Sequence, residues 1–271
     1  MRVRSVLGGG ALAGALAWGH FEAGWVRLRE LPVEVPGLPE ELDGLRIAHL
    51  SDLHLGSPSR GVAAIDRAVS WVERLQPDLV AITGDLLSRR SGEPALRGFL
   101  ERLSGSFAVL GNHDFGLSRD PFSEPVELRD LAPAILLSDS SRIVELRGRR
   151  VQIAGLDPRS GWKRRAEPGL LVDPDADFRI LLAHVPRAVD WLRPGWFHLV
   201  LAGHMHGGQI NVPSVRGKLR LAHLSARYTE GLYRTEAAVM HVSPGLGTTF
   251  VPFRFLARPE ATELVLQSVA D

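Results

Sequence analysis

The chain contains no cysteine. Disulfides, thiolate zinc sites and cysteine nucleophiles are therefore excluded, and the redox compartment is left open. Lysine is nearly missing too: only Lys163 and Lys218 occur, so arginine carries almost all the basic charge. Neither sign of charge is in excess, because 32 basic residues face 31 acidic ones for a net +1. That balance leaves no electrostatic footprint for nucleic acid, and no basic, aromatic-interleaved stretch supplies one locally. There is no internal repeat, no low-complexity segment and no linker marking a second domain. Nor is there an unbroken apolar run of the roughly 20 residues that a bilayer-spanning helix needs. What remains is 271 residues, 45% of them hydrophobic, which is ample for a globular core.

Residues 1–21 differ from the rest. Arg2 and Arg4 precede a run of apolar residues and glycine from Val6 to Trp18, and no charge appears before Glu22. This is the pattern of a signal peptide or short signal anchor, and Ala11-Leu12-Ala13 and Ala15-Leu16-Ala17 resemble small-residue cleavage sites. The expectation is a membrane-associated or exported protein that touches the membrane through its amino terminus. Arg27 and Arg29 balance the earlier arginines, so the side of the membrane is not readable. Residues 22–44, interrupted by Pro32, Pro36 and Pro39, read as an edge strand and connector. The main domain is expected over 45–271.

From Leu45 a rhythm sets in. Apolar runs suited to buried strands lie at 45–50, 78–83, 106–110, 178–183 and 197–202. Helical spacing links Val62, Ile65, Val69 and Val72, and again Leu96, Phe99, Leu100 and Leu103. Alternating strands and helices argue for an α/β domain with parallel neighbours. Residues 142–155 read as a hairpin turning near Arg147–Arg149. Beyond Ile210 only strands and loops are expected, which makes the sheet mixed.

Each run ends on metal-capable side chains. Asp52 and His54 follow the first, Asp85 the second, and Asn112, His113 and Asp114 the third. His184 follows the fourth; His204 and His206 follow the fifth, in "AGHMHGGQ". Residues just past the carboxyl ends of α/β strands converge on one rim. Taken singly, each motif has an ordinary structural reading as a turn. Five in the same place relative to a strand do not. Aspartate, asparagine and histidine without cysteine suit Mn, Fe, Zn or similar ions. The set exceeds what one tetrahedral zinc needs and suffices for two divalent ions sharing a carboxylate, a site that attracts phosphate oxygens and acidifies a bridging water. His20, His49, His198, His223 and His241 lie outside the motifs and read as core or surface residues.

The blocks "SDLH", "TGD", "GNHD", the His184 of "LAH" and "GHMH" resemble, in order, the five signatures of calcineurin-like metallophosphoesterases. The resemblance spans about residues 45–265. It implies an α/β four-layer αββα sandwich, two mixed sheets between outer helices, with a dinuclear metal site at the sheet rim. Carried over, one ion would be held by Asp52, His54, Asp85 and His206, and the other by Asp85, Asn112, His184 and His204. His113 would be the catalytic histidine, oriented by Asp114. The enzyme implied is a phosphohydrolase.

"GHMHGGQINVP", "YTEGLYR" and "VSPGLGTTFVPFRFLARPE" further resemble the membrane-associated bacterial branch called YaeI-like or YkuE-like phosphodiesterases. Some of that branch cleave UDP-diacylglucosamine in lipid A precursor synthesis. The implied substrate is thus a phosphodiester or pyrophosphate on a phosphorylated small molecule or a lipid-linked carrier. Phe250, Val251, Phe253, Phe255 and Leu256 are candidates for an acyl groove or bilayer contact. Gln209 and Arg254 are candidate phosphate or sugar contacts. The alternatives are a phosphodiesterase acting on a soluble substrate and a metal-binding protein without catalysis.

Overall fold

The computed structural model describes residues 13–162, 167–215, 217–222 and 224–269. Residues 1–12 of the expected leader, and His223, lie outside them. Residues 13–22 form a helix, α1. Among the described residues no helix is long and apolar enough to cross a membrane.

The first sheet takes β1 (Arg27–Val35), β2 (Arg46–Leu50), β3 (Leu79–Thr83), β4 (Phe107–Val109) and β5 (Ile135–Leu136). Helices α2 (Gly61–Leu75) and α3 (Glu93–Arg102) make its crossings from β2 to β3 and from β3 to β4. The second sheet takes β6 (Ser140–Leu146), β7 (Arg149–Gly155), β8 (Phe178–Leu182) and β9 (Leu199–Ala202), with the short helix α4 (Pro158–Trp162) after β7. A small hairpin, β10 (Asn211–Ser214) and β11 (Gly217–Arg220), stands apart. The chain then adds β12 (Gly231–Arg234) and β13 (Val239–Val242) to the second sheet and returns to the first with β14 (Glu260–Ser268).

Each sheet has six strands, ordered β1-β14-β2-β3-β4-β5 and β12-β13-β9-β8-β7-β6. Both are mixed. β2 through β5 run parallel, as do β7, β8, β9 and β13, while β14 against β2, β6 against β7 and β12 against β13 are antiparallel. The expected edge strand is β1, paired in register with β14 from Arg27↔Glu260 to Val35↔Ser268. Pro32 is tolerated there because an edge strand has one unpaired side. The expected hairpin turns at Arg147 and Gly148, both at positive φ, the conformation of a two-residue turn.

Three apolar layers explain why these strands are apolar on both faces. Ile47, Leu79, Ala81, Phe107, Val109, Leu264 and Leu266 of the first sheet meet Val151, Ile153, Phe178, Ile180, Leu182, Leu199 and Leu201 of the second. The period of two sends Ala48, Leu50 and Ile82 the other way, against α2 and α3. On α2 the buried stripe is Ala64, Ile65, Ala68, Val69 and Val72. Val62, assigned to that stripe by spacing, faces solvent at 46% exposure; the helix turns its small alanines inward instead. Short 3-10 turns at Pro168–Leu171 and Pro186–Trp191 cover the outer face of the second sheet. The architecture is the expected four-layer sandwich.

Candidate metal centre

Both sheets end on the same rim. Asp52 and His54 follow β2, Asp85 follows β3, Asn112 and His113 follow β4, His184 follows β8, and His204 and His206 follow β9. Asp52, His54, Asp85, His204 and His206 all hold φ between 46° and 73°, a left-handed backbone that non-glycine residues seldom adopt. The strand must reverse at once to aim these side chains into the rim, and such strain persists only where the surroundings enforce it. Gly203 shows how tight the packing is: a Cβ there would collide with Ser51 Oγ and Asp52 Oδ2.

The rim side chains gather into two groups that share one carboxylate. Asp52, His54, Asp85 and His206 present ligand atoms within 4.8 Å of one another, and so do Asp85, His184 and His204. In the first, His54 Nε2 lies 3.1 Å from His206 Nε2 and 3.6 Å from Asp85 Oδ2, and His206 Nε2 lies 3.4 Å from Asp52 Oδ1. In the second, His184 Nε2 lies 3.2 Å from Asp85 Oδ2, 3.1 Å from His204 Nδ1 and 3.2 Å from Asn112 Oδ1. Asp85 Oδ1 accepts the His113 N–H at 2.9 Å, which turns Oδ2 toward both groups.

At His184 and His54 the surrounding partners suit ligation. The Thr83 carbonyl can only accept, so His184 Nδ1 carries a proton, and Nε2 faces Asp85 and Asn112. Ser88 Oγ stands 3.0 Å from His54 Nδ1 and can do the same for that ring. Electrostatics concentrate on Asp85: burial alone would raise its pKa, yet His184, His113 and His54 hold it well below the usual carboxylate range. The partner effect reaches His184, which burial would lower but Asp85 raises to about 9. Burial, with the charge of Asp85 adding to it, pushes Asp52 up to about 6 and Asp114 up to about 7. Burial and then His113 bring His54 down to about 3. Buried carboxylates and imidazoles crowded this closely form a cluster that could hold metal ions.

His113 sits at the edge of this cluster, its Nε2 4.0 Å from Asp85 Oδ2 and 3.4 Å from Thr249 Oγ1. Its orienting partner is not Asp114. The Asp114 carboxylate accepts the backbone N–H groups of Leu86, Leu87 and Gly111, which leaves it bracing the loops of β3 and β4. Ser123 Oγ, 2.8 Å from His113 Nδ1, orients the ring instead. Gln209 and Arg254 also differ from expectation. The Gln209 amide is tied to Thr249 and Val251. Arg254 is wholly buried, burial lowering it to about 10; it donates to the carbonyls of Gly247, Pro244, Gly245 and Ala257, and its Nη1 and Nη2 lie 3.4 Å and 3.3 Å from the carbonyl and Nδ1 of His206. Both hold the 244–257 loops that wall the rim; neither has a donor left for a substrate. Ser51, Thr83, Ser88, Asp120, Ser123 and Thr249 were given no role from sequence, although Ser51, Thr83 and Thr249 stand inside the quoted blocks and Ser88 just past one.

Residues 45–208 match the family described as calcineurin-like phosphoesterase, and with the relatives below this places the chain in that family. It is accordingly a hydrolase. It is similar to the uncharacterized metallophosphoesterase YkuE of Bacillus subtilis (strain 168), at 30% identity over 97% of this chain and 94% of that one. The zebrafish (Danio rerio) "Transmembrane protein with metallophosphoesterase domain" is 34% identical over 88% of this chain, which spans 56% of its length. The UDP-2,3-diacylglucosamine pyrophosphatase LpxG of Chlamydia muridarum (strain MoPn / Nigg) is 27% identical over 92% of each chain.

Proposed function

We propose that the chain hydrolyses a phosphodiester or pyrophosphate bond at two divalent ions, on a lipid-linked or membrane-associated substrate. The observation that carries this is the sharing of Asp85 Oδ2 between two ligand groups. In this reading Asp52, His54, Asp85 and His206 hold one ion; Asp85, Asn112, His184 and His204 hold the other. When bound, such ions supply positive charge for phosphate oxygens and a water ionised near neutral pH. His113 Nε2 faces the shared carboxylate and donates a proton to the leaving oxygen, while Ser123 fixes its ring. Thr249, hydrogen-bonded to Asp120, closes the other side of that imidazole.

Two surfaces support an amphipathic substrate. A groove of about 710 Å³ opens beside His204, its wall mixing apolar Val185, Trp191, Met205 and Leu224 with charged Arg187, Asp190 and Arg227. Phe250, Val251 and Leu256 are exposed on the loop whose Phe253 and Phe255 stand against Gly19, and the amino-terminal segment around Gly19 exposes Leu16, Trp18, Phe21 and Trp25. The two segments are joined: the Arg254 N–H bonds the Gly19 carbonyl and the Ala257 N–H bonds Glu22. Trp18, Phe21 and Trp25 pack with ring centroids 5.7–6.2 Å apart, and the Arg258 guanidinium lies 3.8 Å over Trp25. Clustered Trp and Phe beside Arg suit the interface of an anionic bilayer. The name of the LpxG relative supports a UDP-diacylglucosamine-like pyrophosphate.

The test is turnover by metal-loaded protein of UDP-2,3-diacylglucosamine in mixed micelles, against soluble bis-p-nitrophenyl phosphate. A higher kcat/KM for the acylated substrate, reduced when Trp18 and Phe250 are replaced by serine, supports the proposal. Equal kcat/KM regardless of acyl chains points to a soluble substrate, and no turnover with both ions bound defeats catalysis altogether.

A further inference from the structure

Between the sheets, two histidines face each other at the edge of the apolar layer. His49 on β2 and His241 on β13 are both fully buried, with Nδ1 atoms 2.8 Å apart. Ile47 and Val239, two residues away on the same faces, belong to the apolar core. Buried imidazoles there are costly unless something uses their hydrogen bonds. From His49 the bonds run on without a gap. His49 Nε2 lies 2.9 Å from Thr83 Oγ1, Thr83 Oγ1 lies 2.8 Å from Ser51 Oγ, and Ser51 Oγ lies 2.6 Å from Asp52 Oδ2.

The direction of this chain follows from its charged end. Carboxylate Oδ2 accepts, so Ser51 gives its one proton there, the shorter and charged bond, rather than to the Thr83 carbonyl at 3.0 Å. The Thr83 hydroxyl then donates to Ser51, and Thr83 Oγ1 can only accept from His49 Nε2–H. Burial keeps His49 and His241 neutral, His241 lowered to about 3. His49 Nδ1 is therefore bare and accepts from His241 Nδ1–H. That leaves His241 Nε2 as a bare nitrogen, and it is an atom with no partner. An orphaned acceptor at the end is what a chain running toward Asp52 requires; the opposite direction would strand a buried N–H.

We propose that His241 and His49 are positioning residues for the metal centre: four one-way hydrogen bonds from the second sheet hold Asp52 Oδ2, while Oδ1, which shares the His204 N–H with it, keeps a lone pair for the cation. The other ligand group is held separately: the Thr83 carbonyl, outside this chain of hydroxyls, accepts from His184 Nδ1 at 2.8 Å. Asp52 Oδ1 lies 3.4 Å from His206 Nε2, on the cation side. The proposal rests on the reading of Asp52 as a ligand. Outer partners of this kind typically alter metal affinity about 10–100-fold.

The experiment is calorimetric titration of metal-free full-length protein with Mn(II), alongside nitrogen-15 NMR of the His49 ring. The variants are His241→Leu, which removes the donor, and His241→Asn, whose amide nitrogen replaces Nδ1. Expected in His241→Leu is weakening of the Asp52-side ion by about 10–100-fold, with the other ion within about threefold. His241→Asn should restore binding, and the wild-type His49 ring should show Nε2 protonated and Nδ1 bare. Thr83→Val against Thr83→Ser repeats the comparison should His241→Leu not fold. Wild-type affinity in the donor-less variants, or equal loss in both members of a pair, overturns the relay. Asp52→Asn separates the two readings: if it leaves both ions bound as in wild type, the ligand assignment falls and takes the relay with it. If it weakens one ion while His241→Leu is silent, only the relay falls.

Discussion

Replacing Gly84 by alanine tests how closely the β3 turn is fitted to the metal centre. Gly84 holds φ +85°, and a Cβ there would stand 2.6 Å from His184 Nδ1 and 2.7 Å from the Gly111 nitrogen. A left-handed backbone costs an L-residue about 1–2 kcal/mol. Forcing an extra carbon into a packed site costs about 1–3 kcal/mol more. The sum, roughly 2–5 kcal/mol, corresponds to a fall of roughly 4–20 °C in Tm for a domain of this size. His184 must also leave the Thr83 carbonyl that fixes its tautomer, so metal affinity should drop with stability. Gly98→Ala is the control: Gly98 is exposed in α3 with nothing within 4 Å of a Cβ. It should gain about 0.5–1 kcal/mol. Scanning calorimetry of both metal-free variants, followed by Mn(II) titration, gives the result. A Gly84→Ala protein that melts and binds metal like wild type would refute the close fit.

His113→Ala should lose about 10²–10⁴-fold in kcat while two ions remain bound, measured by turnover and metal analysis together. Arg254→Met strips donors from the buried Gly247, Pro244 and Ala257 carbonyls, so Tm should fall by several degrees; an unchanged Tm with a raised KM would return Arg254 to substrate binding. In metal-free protein His184 titrates at about 9, above its unfolded 6.5, so its stabilisation is complete below pH 6.5 and is lost as pH rises to 9. Asp52 and Asp114, raised from 3.8 to about 6 and about 7, have the same sign but act at lower pH. Their stabilisation is lost as pH rises from about 4 to 6 and 7, so His184 dominates above pH 7. Metal-free Tm should thus decline from pH 6.5 to 9 while metal affinity rises, because the ion displaces the His184 proton; parallel trends would contradict this.

Much of the frame was legible because its physics is local. Strands apolar on both faces announce burial from two sides, and β2, β3, β8 and β9 lie within a residue or two of their expected bounds. Polar residues just past those strands marked the rim. What was not legible depends on partners distant in the chain. Nothing near Asp114 says that it binds three backbone N–H groups from Leu86, Leu87 and Gly111, nor that Ser123 holds His113. Arg254 reads as an anion contact until the loop carbonyls close around it. His49 and His241 looked like isolated core histidines because 192 residues separate them. The left-handed backbone at Asp52, His54, Asp85, His204 and His206 likewise has no sequence signature outside glycine.

The shared Asp85 carboxylate is the feature on which the functional reading depends, and electron paramagnetic resonance of Mn(II)-loaded protein addresses it directly. Two ions joined through one carboxylate give an exchange-coupled spectrum with two Mn(II) per chain, converted by Asp85→Asn to an uncoupled or mononuclear signal. A single Mn(II), or two with no coupling in the wild-type chain, would contradict it.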